Sequence, residues 1–196
     1  LKPIIIIGAG IIGICCALAL QKKGYKVTLI DPEAPGSQTS SGNAGGIAVT
    51  EVLPLSMPGT LWKAPQWLLD PKGPLNIRWR HFSQLTPWFW RFVQAGSQKN
   101  IDRIIPVLTK LLKPVYSDFE PLLQEAGVAH LLHKGGALTL YHHRKNFEAE
   151  KRDWALKREQ GIRFETVSPE EINTLEPALA PLFEVGVRNL DWGHVD

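Results

Sequence analysis

Three glycines near the N-terminus have the spacing at which proteins bind the phosphates of a nucleotide. Gly8, Gly10 and Gly13 directly follow the apolar run Pro3–Ile7. In such a turn the first glycine permits a sharp bend, the second lets the backbone approach a pyrophosphate, and the third allows close helix packing. The free N–H groups and the dipole of the following helix favour an anion. The spacing therefore predicts a phosphate-binding turn between a strand and a helix.

A carboxylate further along the chain completes the pattern. The helical pattern runs to Lys23, Gly24 ends it, and a second strand-like run, Tyr25–Ile30, leads to Asp31. An acid about 20 residues beyond the glycines is placed to accept a hydrogen bond from a ribose 2′-hydroxyl. A carboxylate there repels a 2′-phosphate, which disfavours NADP. The sequence thus predicts a βαβ unit that binds a dinucleotide.

The same stretch has a competing interpretation. Ile4–Leu20 carries no charge and follows Lys2, as in a signal peptide or a membrane span. It is short for a span and contains three glycines, and no small-residue cleavage site precedes a mature domain. The alternating strand that follows favours the βαβ unit.

A loop rich in Gly, Ser, Thr and Asn follows the acid. Pro35–Val49 offers many backbone N–H groups and small hydroxyls. Its turn from Asn43 to Gly46 could bring bare backbone against a flat ring. The alternative, based on composition alone, is a flexible surface loop.

These three features together resemble the D-amino-acid oxidase superfamily of FAD enzymes. The chain has a GAGIIG turn at residues 8–13, an acidic second-strand end and a PGxxTSxxNAGG loop at residues 35–46. Within the superfamily it is most similar to the bacterial D-amino-acid dehydrogenases. The resemblance implies that FAD is the cofactor. It also implies that the AMP ribose is bound by Asp31, the pyrophosphate by Gly8, Gly10, Ile12 and Gly13, and the flavin by Thr39, Ser40, Asn43, Ala44, Gly45, Gly46 and Ile47.

The resemblance continues through Lys134–Glu150, Ser168–Leu179 and Asp191–Asp196. It implies an α/β fold, α+β overall, in which a Rossmann-like FAD-binding βαβ domain is interleaved with a mixed-sheet substrate or cap domain. Since members of the family are considerably longer, we expect a truncated, N-terminal portion that lacks the C-terminal half.

The chain divides on this interpretation into three parts. Residues 1–58 form the FAD-binding segment, residues 59–127 a Trp-rich and helical insertion, and residues 128–196 part of the substrate-domain sheet and helices. Five of the seven tryptophans lie between residues 59 and 98, interleaved with Lys and Arg. They either pack the cap, contact a membrane surface, with Trp at headgroup depth, or bind a partner subunit.

The remaining helices and strands are predicted from hydrophobic periodicity and from the Gly, Pro and capping residues that end or begin them. Gln84–Ala95 is predicted as a helix with Thr86 as its N-cap and Pro87 at its first position. Asn100–Ala126 has apolar residues at three- and four-residue intervals, which predicts helices interrupted by prolines. Further helices are predicted at Asn146–Gln160 and after a capping box that starts at Ser168, and strands at Val128–Leu132, Ala137–Tyr141, Ile162–Val167 and Val185–Arg188.

Composition excludes several classes of function. The net charge is +3 with no basic block, so nucleic-acid binding has no support. Cys15 and Cys16 are adjacent on a helix, where a disulfide would be strained, and we interpret both as reduced, buried thiols. No Cys/His spacing suggests a metal. His142 and His143 are interpreted as solvated residues at a strand end rather than as a catalytic base.

The resemblance implies a reaction as well. The protein is expected to oxidise D-amino acids to 2-oxo acids and ammonia by hydride transfer from Cα to flavin N5, with electrons passed to a quinone or another acceptor. Because the cofactor carries this chemistry, no catalytic residue is assigned. The alternatives are a glycine or secondary-amine oxidase that uses O₂, and a non-catalytic FAD-binding fragment or subunit of a larger complex. The isolated chain is expected to be inactive. A cytoplasmic location is expected, with peripheral attachment to the inner face of the bacterial plasma membrane as an option.

Overall fold

Two apolar strands and the helix between them form the N-terminal unit in a computed structural model of the protein. β1 (Ile4–Ile7) pairs in parallel with β2 (Val27–Ile30), with Ile4 opposite Val27. The helix α1 (Ile11–Lys22) connects the two strands. The predicted βαβ unit is therefore confirmed, with ends that differ by one or two residues from those expected.

The structure describes residues 2–58, 68, 70 and 79–196. The chain divides into two units, Leu1–Gly45 and Gly46–Asp196. The three-part division proposed from the sequence stays a prediction. Of the Trp-rich segment, residues 59–67, 69 and 71–78 lie outside the described residues.

Two three-stranded antiparallel sheets form the framework of the second unit. Their strands are β3 (Gly46–Ile47), β4 (Leu132–His133), β5 (Ala137–Tyr141), β6 (Phe164–Val167), β7 (Val185–Asn189) and β8 (Gly193–Val195). The first sheet has the order β3-β8-β4, and the second has the order β5-β7-β6. In both sheets the central strand comes from the C-terminal end of the chain, so these sheets depend on pairing between residues far apart in sequence.

Five helices accompany these sheets in the part of the chain that the structure describes. They are α2 (Phe82–Ala95), α3 (Gln98–Leu112), α4 (Val115–Glu125), α5 (Arg144–Glu159) and α6 (Pro169–Leu175). Short 3₁₀ turns precede α2 at Trp79–His81 and follow α4 at Ala129–Leu131. The predicted mixed α/β class is confirmed.

The core of the second sheet is aromatic and contains a hydrogen-bonded chain. Trp154 on α5 packs with Tyr141, Phe147 and Val187, and its indole N–H donates to the Tyr141 hydroxyl at 2.8 Å. That hydroxyl lies 2.7 Å from a carboxylate oxygen of Glu150, to which it donates. Burial raises the pKa of Tyr141 well above its ordinary value. The buried polar atoms are thus paired, as a low-dielectric interior requires.

A second apolar cluster forms around α3. Ile101 is fully buried and Ile105 nearly so, and both pack with Met57. Leu53 and Leu156 pack against the same cluster. Two residues of the apolar face predicted from three- and four-residue intervals, Ile101 and Ile105, are therefore buried, whereas Leu111 on the same predicted face is 66% exposed.

The predicted capping box at the start of α6 is confirmed. The Glu171 amide donates to Ser168 Oγ at 3.3 Å, and the Ser168 amide donates to Glu171 Oε2 at 2.7 Å. Pro169 takes the first helical position, where its missing N–H costs nothing.

The predicted start of α2 is wrong. The helix begins at Phe82, so Thr86 is not its N-cap and Pro87 lies inside it. The 3₁₀ turn Trp79–His81 leads directly into α2, which therefore begins five residues before Pro87. Pro87 then removes one backbone donor near the helix N-terminus, which the longer helix tolerates.

The predicted strand Val128–Leu132 is also wrong for most of its length. A 3₁₀ turn occupies Ala129–Leu131, and only Leu132 belongs to the strand β4. The amide of Val128 donates to the Leu123 carbonyl, which closes the end of α4 instead of extending the chain. β3 and β8 were not predicted, since strands of two and three residues carry too little alternation to detect.

No described helix has both the length and the apolar content needed to cross a membrane.

The apolar cluster around α3 gives a testable prediction. Replacing Ile101 by alanine should lower the free energy of unfolding by about 2–5 kcal/mol, because the substitution leaves a cavity at a fully buried site. Urea unfolding followed by circular dichroism measures the change. Val107→Ala is the matched control, since Val107 is on the same helix and 55% exposed, and it should change stability by less than about 0.5 kcal/mol. Equal losses in both variants would contradict the assigned core.

Candidate functional site

The turn between β1 and α1 is shaped by the absence of side chains. Gly8 has φ +103°, a conformation that favours glycine. A Cβ on Gly13 would lie 1.9 Å from the Gly8 carbonyl oxygen. Only glycine at residue 13 therefore lets α1 start directly against the end of β1. The packing role predicted for the third glycine matches this contact.

The first turn of α1 presents its amides at the surface. The Ile11 amide donates to Ser40 Oγ at 2.9 Å. Within the described residues, the amides of Ile12 and Gly13 have no hydrogen-bond acceptor. Two free N–H groups at the positive end of a helix dipole form an anion-binding position.

Asp31 lies at the end of β2 and is bound to the same turn. Its Oδ2 accepts from the Ala9 amide at 2.7 Å, and its Oδ1 accepts from the Glu33 amide at 2.9 Å. These two hydrogen bonds lower the pKa of the Asp31 carboxyl below its ordinary value, and the bond from the Ala9 amide has the larger effect. The group is therefore ionised at neutral pH. Because a carboxylate has about four lone-pair sites, acceptor capacity remains for a ribose hydroxyl.

The Gly-rich loop lies against the turn. Gly10 and Ser40 approach so closely that a Cβ on Gly10 would be 3.0 Å from Ser40 Oγ. Asn43 Nδ2 donates to the Ser40 carbonyl at 2.8 Å, and the Gly45 amide donates to Asn43 Oδ1 at 2.6 Å. The side chain of Asn43 thus holds the loop together through hydrogen bonds to the backbone of Ser40 and Gly45. In the sequence, only the known preference of Asn for turns indicated this role.

The remaining loop residues are exposed or belong to the second unit. Thr39 and Ala44 are exposed, and Gly45 is partly exposed, with φ +62°. Gly46 and Ile47 form β3 in the second unit, where a Cβ on Gly46 would lie 2.8 Å from the Trp192 ring. The individual roles of the predicted site residues stay predictions.

Sequence reasoning missed two parts of the site. Ser40 was predicted only as a flavin neighbour, yet its hydroxyl caps α1 through Ile11. The Ala9 amide binds Asp31, although Ala9 carries no chemical signal in the sequence. Both contacts join residues more than twenty positions apart, so only the folded backbone reveals them.

The residues present fit the adenosine diphosphate part of FAD. Gly8, Gly10 and Gly13 leave bare backbone at the turn, the Ile12 and Gly13 amides suit a phosphate oxygen, and Asp31 suits a ribose. The Ser40 hydroxyl oxygen accepts a hydrogen bond from the Ile11 amide, so the hydroxyl proton of Ser40 can be donated to an anion. An extended dinucleotide could therefore lie across the start of α1 towards the end of β2.

His142 and His143 form the connection between β5 and α5. His142 Nδ1 is 3.2 Å from the Leu182 carbonyl oxygen, and its ring lies against Phe183. His143 Nδ1 is 3.4 Å from Glu184 Oε1, and both side chains are more than half exposed. Their contacts are with neighbouring loop residues, and no catalytic base is assigned to them.

Two comparisons with known proteins give the same family. The model of the family described as "FAD dependent oxidoreductase" (DAO) matches residues 3–196. A D-amino-acid oxidase from Bradyrhizobium diazoefficiens is 34% identical over 189 residues, which cover 95% of this chain and 45% of that protein.

Solved structures share the fold at low identity. Glycine oxidase from Bacillus cereus has a TM-score of 0.60 at 15% identity, with 99% of this chain and 39% of that chain covered. L-proline dehydrogenase from P. horikoshii has a TM-score of 0.58 at 19% identity, with 100% and 38% covered. The chain thus spans less than half the length of these relatives.

The glycine turn, the acid at the end of β2 and the matched family model lead to one assignment, with FAD as the cofactor. The chain belongs to the DAO family of FAD-dependent oxidoreductases.

Proposed function

We propose that this chain is part of an FAD-dependent dehydrogenase that converts D-amino acids into 2-oxo acids and ammonia. We choose D-amino acids as the substrate class because a relative named D-amino-acid oxidase is 34% identical over most of the chain. When bound, the flavin supplies the hydride acceptor, through its N5, for the hydrogen on the substrate Cα.

The residues of the first unit bind and orient the cofactor in this proposal. The amides of Ile12 and Gly13 donate to the pyrophosphate, and the Asp31 carboxylate accepts from the AMP ribose. The Ala9 and Glu33 amides keep that carboxylate ionised and fix its position. A preformed site of this kind costs little reorganisation when the nucleotide binds.

The first prediction concerns the turn. Gly13→Ala places a Cβ against the Gly8 carbonyl and must push α1 away from β1. The shift of α1 misplaces the amides of Ile12 and Gly13. Losing a hydrogen bond to a charged group costs about 1.5–3 kcal/mol, so FAD affinity should fall about ten- to 160-fold. Titration of the protein into FAD, followed by flavin fluorescence, measures the affinity.

Gly135→Ala is the matched control for this substitution. A Cβ on Gly135 meets nothing within 4 Å, and this glycine does not have a positive φ. Its FAD affinity should equal that of the unmodified chain. Unchanged affinity in Gly13→Ala would remove the turn from the cofactor site.

The second prediction concerns the reaction. The complete reading frame that contains this sequence should yield a yellow protein that reduces an artificial dye acceptor with D-alanine or D-proline. The L-enantiomers serve as controls for the stereochemistry. Absence of both flavin colour and turnover would reject the proposal, whereas bound flavin without turnover on any amine would favour a non-catalytic FAD-binding component.

An O₂-using oxidase is the second candidate, because the similar protein from Bradyrhizobium diazoefficiens is named an oxidase and glycine oxidases share the fold. The same assay without dye separates the two. Hydrogen peroxide formed at the rate of substrate oxidation would assign O₂ as the acceptor. A dependence on dye or quinone would assign a dehydrogenase.

We also propose that the protein is cytoplasmic and contacts the inner face of the bacterial plasma membrane through α2. Trp90 and Val93, three residues apart on this helix, are 65% and 42% exposed, and Arg91 between them is also exposed. Exposed Trp beside a cation suits the headgroup region of anionic lipid, where a quinone acceptor would be reached.

The third prediction follows from this surface. Trp90→Ser should reduce co-sedimentation with vesicles that contain phosphatidylglycerol, because it removes the largest exposed apolar group of α2. Leu182→Ser is the control, since Leu182 is similarly exposed at 62% but lies outside α2. Equal binding by both variants and the unmodified protein, or no binding by any, would reject the membrane contact.

A further inference from the structure

Three potential metal ligands lie on one face of the sheet β3-β8-β4. His133 of β4 and His194 of β8 are directly opposite in the antiparallel register. Residues directly opposite place their side chains on the same face. Asp196 follows His194 by two positions, and its amide donates to the Leu131 carbonyl at 3.1 Å, which continues the ladder. Since side chains alternate along a strand, Asp196 joins the two histidines on that face.

The three side chains converge. His133 Nε2 is 2.9 Å from Asp196 Oδ2, and His194 Nε2 is 3.5 Å from Asp196 Oδ1. The imidazole rings stack with centroids 5.0 Å apart and planes at 24°. One potential ligand atom from each residue lies within 4.8 Å of the other two. The backbone pairing, rather than chance rotation of surface side chains, holds the group together.

We propose that His133, His194 and Asp196 bind a divalent transition-metal ion of the Zn²⁺ class. Two imidazole nitrogens and one carboxylate are a donor set that Zn²⁺, Ni²⁺ and Cu²⁺ prefer, whereas Ca²⁺ and Mg²⁺ prefer all-oxygen sites. Water completes the coordination, because the side chains are 46%, 41% and 63% exposed in that order.

The distances suit this assignment. Ligands bound at about 2.0–2.1 Å in a tetrahedron lie about 3.3 Å apart. Each imidazole nitrogen lies near that distance from one oxygen of Asp196, 2.9 Å to Oδ2 for His133 and 3.5 Å to Oδ1 for His194. Rotation of the exposed carboxylate has to bring one oxygen within reach of both nitrogens. The three ligand atoms lie within 4.8 Å of one another, and all three side chains are exposed enough to rotate towards one ion.

The cross-strand partner of His194 on β3 is Gly46, and the Trp192 ring lies against that glycine. The ring centroids of Trp192 and His194 are 6.4 Å apart, so Trp192 borders the three ligands on the β3 side. A bound ion would cross-link β4 to β8, and so stabilise the sheet that also contains β3. The site does not involve the turn proposed to bind FAD, so each can be tested without the other.

The test is a Zn²⁺ titration by calorimetry on protein that carries no histidine tag and has been treated with EDTA. We expect one Zn²⁺ per chain. His133→Gln and His194→Gln should each weaken binding at least about tenfold, since losing even an outer-shell partner costs that much. A control variant with His142→Gln and His143→Gln removes two exposed imidazoles outside the proposed site and should bind Zn²⁺ like the unmodified protein.

Two further measurements exclude other ligands. Thiolates also bind Zn²⁺, so the titration is repeated with Cys15→Ala and Cys16→Ala, where binding should persist. With Cu²⁺, electron paramagnetic resonance should show coupling to two imidazole nitrogens and lose one of them in His194→Gln. Failure of the unmodified protein to bind Zn²⁺, loss of binding in the cysteine variant, or equal loss in the His142/His143 variant would each overturn the proposal.

Discussion

The carbonyl oxygen of Gly8 lies where the Cβ of any other residue at position 13 would have to be. That contact sets how closely α1 approaches β1, and through it where the first amides of the helix point. Asp31 adds a second constraint, because its two oxygens bind the amides of Ala9 and Glu33 and so tie the end of β2 to the turn. The two free amides at the start of α1 and the fixed carboxylate of Asp31 are consequences of these few backbone contacts.

The second unit depends on a different kind of constraint. Its two sheets take their central strands from the last dozen residues, β7 and β8. Val187 is fully buried under Trp154 and Tyr141, and the polar atoms of both aromatics are satisfied by each other and by Glu150. Likewise, Asn189 donates to the buried Thr50 hydroxyl, which joins β7 to a segment far upstream. Buried polar groups here are paired with one another, which specifies one arrangement of strands.

The first unit presents backbone amides and one carboxylate at the glycine turn, which are groups of the kind that bind nucleotides. In FAD-dependent oxidoreductases, the family to which the chain belongs, the cofactor carries the redox chemistry. The turn therefore identifies the cofactor and the family better than the substrate.

The sequence by itself determined the βαβ unit, because its glycine spacing, apolar strands and terminal acid are local and each has one steric reason. It also determined the capping box at Ser168 and the buried positions Ile101 and Ile105 of α3, which follow from short spacings. Tertiary structure alone decided the rest. The early start of α2 across Pro87, the 3₁₀ turn after Val128 and the short strands β3 and β8 depend on neighbours that local propensity does not contain.

The same division holds for the sites. Spacing alone predicted Gly8, Gly10, Gly13 and Asp31 as candidates, whereas the hydrogen bond from the Ile11 amide to Ser40 is visible only in the folded loop. His133 and Asp196 are 63 residues apart and match no ligand spacing, yet strand pairing brings them to hydrogen-bond distance. Local sequence determines the backbone conformation of a turn and the groups that the turn exposes. Which distant side chains come into contact is determined by the long-range pairing of strands.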